Sequence, residues 1–247
     1  MLKVLKFRYF LCALLILGCK ENVEKKQSEP VESVSKITEK ETSPKDEKVI
    51  LFYGNSLTAA YGLDTEEGFP HRIQQRLDSL GLHYKVINSG LSGETTSGGL
   101  NRLDWVLNQP VDIFVLELGA NDGLRGIPIT ESMNNLQTMI SMVKDRNPET
   151  RIILAGMQIP PNMGADYATQ FKQMYPALAE SNDIPLIPFL LEGVAGIPEL
   201  NLEDGIHPTA EGQKIVANNV WKILEPLIKT DSENLTTSPK DKSVIAN

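Results

Sequence analysis

Five short apolar runs punctuate the middle of the chain: KVILFY (Lys48–Tyr53), YKVINS (Tyr84–Ser89), DIFVLEL (Asp112–Leu118), RIILAG (Arg151–Gly156) and IPLIPF (Ile184–Phe189). They are rich in β-branched residues, and several are apolar almost without interruption. That is the pattern of strands buried on both faces of a parallel sheet. Between them the apolar period lengthens to that of a helix. Phe69, Ile73, Leu77 and Leu80 recur at helical spacing, with Gly81 placed as a C-cap. Leu136, Met139, Ile140 and Val143 repeat the pattern, and so do Ile215, Val216, Val220 and Leu224 behind a Thr209 N-cap. Strands alternating with helices predict a doubly wound α/β sheet in a single domain, over residues 48–228.

The two ends read differently. Lys3, Lys6 and Arg8 precede YFLCALLILG, an apolar stretch of about ten residues. A bilayer span needs ~20, so the stretch has the length of a signal peptide, with an uncleaved anchor as the alternative. Its end, LILGC, resembles a bacterial lipobox. That resemblance implies cleavage after residue 18, a lipid-modified Cys19 and a place on the bacterial cell envelope as a membrane-anchored lipoprotein. More than one acyl chain is needed for stable anchoring. Residues 20–47 are charged and interrupted by two prolines, and lack the apolar surface to order themselves. They are expected to form a tether with a reach of roughly 30 Å. A second polar tail is expected over 229–247.

Composition adds exclusions. Of 247 residues, 41% are hydrophobic and 18 are glycine, an ordinary globular balance. The net charge of −8 argues against nucleic acid, which needs a basic footprint. Both cysteines, Cys12 and Cys19, lie within the first twenty residues, so the body of the chain has no disulfide framework and no cysteine metal site.

Four segments fall where strands end or helices begin: Gly54-Asn55-Ser56-Leu57, Asn88-Ser89-Gly90, Gly119-Ala120-Asn121-Asp122 and Asp204-Gly205-Ile206-His207-Pro208. Ligands of open α/β sheets bind beyond the carboxyl ends of the strands. Acyl transfer needs a nucleophile, a base, a carboxylate to orient the base, and donors for the developing oxyanion. Ser56 can be the nucleophile and His207 the base, with Asp204 three residues before it. The N–H groups of Ser56 and Gly90 and the amide of Asn121 can make the oxyanion hole. Taken singly, each segment also reads as a turn or a helix cap. The other histidines, His71 and His83, lie in a helical pattern and at a strand start, which leaves His207. SGETTSGG lacks the Lys-Ser/Thr ending of a phosphate loop, and no Gly-x-Ser-x-Gly elbow is present.

Together these segments resemble the SGNH, or GDSL, hydrolases over roughly 48–228. The longer stretches LELGANDGLRG, MQIPPN and EDGIHP look like the arylesterase/acyl-thioesterase/lysophospholipase branch. The resemblance implies a three-layer α/β/α sandwich with a five-stranded parallel sheet and no metal or cofactor. It makes Ser56, Gly90, Asn121 and His207 the family's named positions, with Asp204 completing the triad. It also implies esters, thioesters or lysolipids as substrates. One departure is Asn55, where the family usually has Asp: the size is kept and the charge lost, so weaker bonds to loop amides are expected. Leu124, Ile127, Met157, Ile159 and Met163, in the loops after strands three and four, are candidates for an acyl groove. A carbohydrate O-acetyl esterase is the alternative reading, and a non-catalytic binding lipoprotein on the same scaffold a further one.

Overall fold

A computed structural model describes residues 47–237. The expected leader, Cys19 and all of the tether but Glu47 lie outside the described residues. The body is a parallel five-stranded sheet of β1 (Lys48–Gly54), β2 (Tyr84–Gly90), β3 (Ile113–Glu117), β4 (Arg151–Ala155) and β5 (Leu186–Ile187). Their order in the sheet is β2-β1-β3-β4-β5. Ile50 to Tyr53 and Ile113 to Leu116 are almost wholly buried, which is why these strands read as unbroken apolar runs.

Among the described residues, six α-helices flank the sheet: α1 (Phe69–Ser79), α2 (Thr96–Val106), α3 (Ala120–Leu124), α4 (Ile129–Arg146), α5 (Ala165–Asn182) and α6 (Ala210–Thr237). α1 packs on α6, while α4 packs on both α2 and α5, giving helical layers on either side of the sheet. Phe69, Ile73 and Leu77 of α1 are buried against it, as are Val216, Val220 and Leu224 of α6.

Three expectations are revised. Leu80 is not on the buried face: α1 ends at Ser79, Gly81 turns the chain at φ +65°, and Leu80 is left exposed. The fifth strand shrinks to two residues, because Pro185 and Pro188 flank it and supply no N–H to the ladder. The tail expected from Lys229 starts inside α6, which continues to Thr237; residues 238–247 lie outside the described residues. Thr209 does cap α6, its hydroxyl accepting from Gly212 N–H at 3.3 Å.

The topology brings the predicted segments together. β1 lies between β2 and β3, and the register pairs Gly54 with both Gly90 and Glu117. The chain leaves β1 toward one side of the sheet and later returns on the other. Their junction is the switch point, where such sheets open a crevice.

Candidate active site

Ser56 stands two residues beyond β1, in a turn closed by bonds from Ala59 N–H to Asn55 O (3.0 Å) and Tyr61 N–H to Ser56 O (3.0 Å). Gly54 is required here: a Cβ would run into Thr58 Oγ1 and the Glu117 carboxylate. His207 arrives from far along the chain, in the loop before α6. That loop is pinned by Leu202 N–H to His207 O at 2.7 Å and by Asn201 Nδ2, which donates to the carbonyls of Val194 and Ile197. Gly205, at φ +68°, lets it turn back sharply enough for Asp204 to face His207.

The resulting line of side chains is continuous. Ser56 Oγ lies 2.8 Å from His207 Nε2, and His207 Nδ1 lies 2.6 Å from Asp204 Oδ2. Asp204 Oδ1 accepts from the N–H groups of Ile206 (2.9 Å) and His207 (3.0 Å). Desolvation works to raise the Asp204 carboxyl, but the bonds from His207 and Ile206 outweigh it and bring it down to about 2. A neutral imidazole with its proton on Nδ1 donates to this anion and leaves Nε2 to accept from the Ser56 hydroxyl. The Tyr61 ring lies over the imidazole, with centroids 4.5 Å apart.

Asn121 opens on the same side from α3. Its amide donates to Glu94 O at 3.0 Å, which fixes its plane. Glu94 is itself held, since Arg102 grips both of its oxygens at 2.6 Å, bonds Ser89 and lies over the Tyr53 ring. The next residue, Asp122, is buried and accepts from Thr96 N–H, Thr96 Oγ1 and Ser132 Oγ. It ties the starts of α2 and α4 to the Asn121 turn. Gly90 differs from Asn121 in that its N–H donates to Asn88 Oδ1 at 2.9 Å. Its lack of a side chain is explained by packing, because a Cβ would strike the backbone of Thr58 and Ala59.

Beside Ser56, His207 and Asn121 opens a mostly apolar cavity of about 600 Å³. Leu124, Met157 and Ile159 line it, joined by Leu57, Phe189 and Leu191. Ile127 and Met163 do not. The chain turns away at Gly126 (φ +66°), and the Ile127 carbonyl is held by the Tyr167 hydroxyl at 2.6 Å. Met163 ends a short 3-10 turn, its N–H bonded to Pro160 O. Both sit in the right loops but past the bend that faces the cavity.

A family model for GDSL-like lipase/acylhydrolases matches residues 52–215, from inside β1 to inside α6. The chain belongs to that family. Among its GDSL relatives is the esterase TesA of Pseudomonas aeruginosa, 40% identical over 182 residues, covering 73% of this chain and 90% of the relative. Thioesterase 1/protease 1/lysophospholipase L1 of Escherichia coli K12 is 36% identical over 184 residues, covering 74% and 86%. The psychrotrophic esterase EstA of Pseudoalteromonas sp., in a structure inhibited by monoethylphosphonate, superposes with a TM-score of 0.70 at 32% identity, covering 74% of this chain and all of that one. The GDSL fold, the five-stranded parallel sheet and the class of serine ester hydrolase therefore hold for this chain.

Sequence reasoning missed several residues that organise this GDSL site: Tyr61, Glu94, Arg102 and Glu117. For Glu117 a signal was present, a single acid inside the apolar run DIFVLEL. The other three carry no local pattern. Their roles come from contacts across the sheet edge.

Proposed function

We propose that the chain cleaves acyl esters or thioesters by a two-step mechanism with Ser56 as nucleophile. The observation that carries this reading is the relay from Ser56 Oγ through His207 to Asp204, set beside an apolar cavity. His207 Nε2 takes the hydroxyl proton as Ser56 Oγ bonds to the acyl carbon. The proton then passes to the leaving oxygen or sulfur, and an acyl-enzyme remains. Water, deprotonated by the same nitrogen, releases the acid and restores Ser56. Asp204 holds the imidazole in the required tautomer and stabilises its charge.

Ser56 N–H and the Asn121 amide are the donors for the oxyanion. Gly90 joins them by exchanging its bond with Asn88 Oδ1 for the substrate oxygen. The acyl chain occupies the cavity along Leu124, Met157 and Ile159. Its apolar lining favours lysolipid-like and longer acyl esters over acetylated sugars, which offer little apolar surface to bury. The natural substrate class is thus a single-chain acyl ester or thioester.

The lipobox-like LILGC supports a lipid on Cys19 and a site of action at the bacterial cell envelope, on a membrane. Labelling cells with tagged palmitate tests this: the full chain takes up the label, and Cys19→Ser abolishes it.

The catalytic reading is tested with p-nitrophenyl esters from acetate to palmitate, against a Ser56→Ala blank. kcat/KM rises with chain length beyond acetate. A maximum at acetate assigns the site to small O-acyl groups, and an equally active Ser56→Ala removes Ser56 from the mechanism.

A further inference from the structure

The buried acid at the end of β3 lies directly beneath the nucleophile turn. Glu117 is 1% exposed. Its Oε1 accepts from Asn55 Nδ2 at 2.7 Å, and its Oε2 accepts from Asn55 N–H at 3.1 Å and Thr58 Oγ1 at 2.8 Å. Every one of these partners is a donor. On its other side Asn55 Oδ1 accepts from Leu57 N–H at 3.0 Å and lies 3.4 Å from Ser56 Oγ. One carboxylate thus grips the residues on both sides of the nucleophile, and the Asn55 amide carries the grip across to it.

We propose that Glu117 is a positioning residue for Ser56, acting through Asn55, and that the amide at position 55 lets it act as a bare carboxylate. The proposal rests on Ser56 being the nucleophile. The hydrogen bonds fix the amide orientation: turning Asn55 over would set its NH2 against the Leu57 N–H and its oxygen against the Glu117 carboxylate. Three donors around one side chain favour its ionised form and oppose the effect of burial. An aspartate at position 55 would change that, because two carboxyl groups at 2.7 Å hold one proton between them.

The surroundings offer Glu117 no countercharge. Among the described residues its hydrogen-bond partners are Asn55 and Thr58, neither of them a cation. Arg102 comes near only through Gly54 O, at 3.5 Å, and its charge is taken by Glu94. From α5 the Tyr175 hydroxyl donates to Leu118 O instead, and from α3 Asp122 is occupied by Thr96 and Ser132. Burial pushes the Glu117 carboxyl up to about 7, with the Thr58 and Asn55 bonds pulling against it.

A glutamine at position 117 cannot replace this acid alone. Whichever way its amide turns, its NH2 meets either the Asn55 amide or the backbone N–H of residue 55. Adding an aspartate at position 55 repairs the mismatch: the new NH2 donates to the new carboxylate, and the glutamine oxygen accepts from the backbone N–H and Thr58. The pair is then reversed in polarity with every group satisfied.

The test is a double-mutant cycle read by kcat, KM and the rate at which a fluorophosphonate labels Ser56. Glu117→Gln lowers kcat and the labelling rate together by at least tenfold, with KM within threefold. Asn55→Asp/Glu117→Gln recovers to within threefold of wild type. Asn55→Asp alone loses kcat toward alkaline pH as its shared proton leaves, and the double variant does not. If Glu117→Gln does not fold, a folded double variant with recovered kcat supports the pairing, and a double variant that also fails to fold overturns it. A fully active Glu117→Gln, a double variant no better than the single one, or matching alkaline profiles for Asn55→Asp and the double variant likewise overturns it. Absence of Ser56 labelling in the wild-type chain would instead overturn the assignment of the nucleophile.

Discussion

A serine hydroxyl is a weak nucleophile, so Ser56 depends on what is bonded to it. Removing its Oγ leaves a small vacancy at a partly exposed turn, and Ser56→Ala is expected to cut kcat by at least about 10⁴ while leaving the unfolding midpoint unchanged. On the proposed mechanism Asn121 supplies one oxyanion donor, and Asn121→Ala should lower kcat by ~10²–10³. Comparing burst amplitude with steady-state rate separates a slower acylation from lost protein. Asp204 owes its low carboxyl, near pH 2, to bonds that exist only when residues 204 to 207 hold their turn. Asp204→Asn keeps the shape but replaces an acceptor with a donor or a neutral oxygen, and kcat is expected to drop far more than KM rises.

At the scale of elements, the site depends on how closely β1 and β2 end together. Gly90 lies against the Thr58–Ala59 backbone with no room for a methyl group. Gly90→Ala forces the two strand ends apart and is expected to destabilise the domain by about 1–3 kcal/mol. Urea unfolding measures this directly. The Arg102–Glu94 pair works at the same scale. Mostly buried, it links α2 to the carbonyl that orients Asn121. Here an unpaired charge, more than a lost attraction, is the damaging outcome of a single substitution.

For the molecule as a whole, Glu117 couples stability to pH. Its carboxyl is raised from 4.5 to about 7 in the fold. The folded chain therefore binds this proton more tightly than the unfolded chain does. Its contribution is most favourable below about pH 4.5, declines as pH rises through the window to 7, and is constant above it. The decline amounts to about 3 kcal/mol. Urea unfolding between pH 5 and 7 should show this loss in the wild type and a flatter profile in Asn55→Asp/Glu117→Gln. The same acid that positions the nucleophile thus costs stability at the pH where the nucleophile works.

The order of residues along the chain is enough to place the strands and the chemistry that could stand at their ends. Strands buried on both faces must be apolar throughout, so β1, β3 and β4 were legible nearly to their ends, while β2, a partly buried edge strand, was legible from its β-branched residues. The fifth was overread because its prolines interrupt the ladder on which a strand depends. Ser56, Asp204, His207 and Asn121 were legible because turn positions bear such residues in recognisable strings. Gly90 was legible as a strand end, but not that its N–H would be held by Asn88. Which loop residues reach the cavity depends on the folded path of the chain, since Ile127 and Met163 differ from Leu124 and Ile159 only by a bend. That path also decides that Asn55, read from sequence as a loss of charge, is the donor that a buried carboxylate requires. A hydrogen bond between residues 62 positions apart has no local signature; it exists because β1 and β3 are neighbours in the sheet.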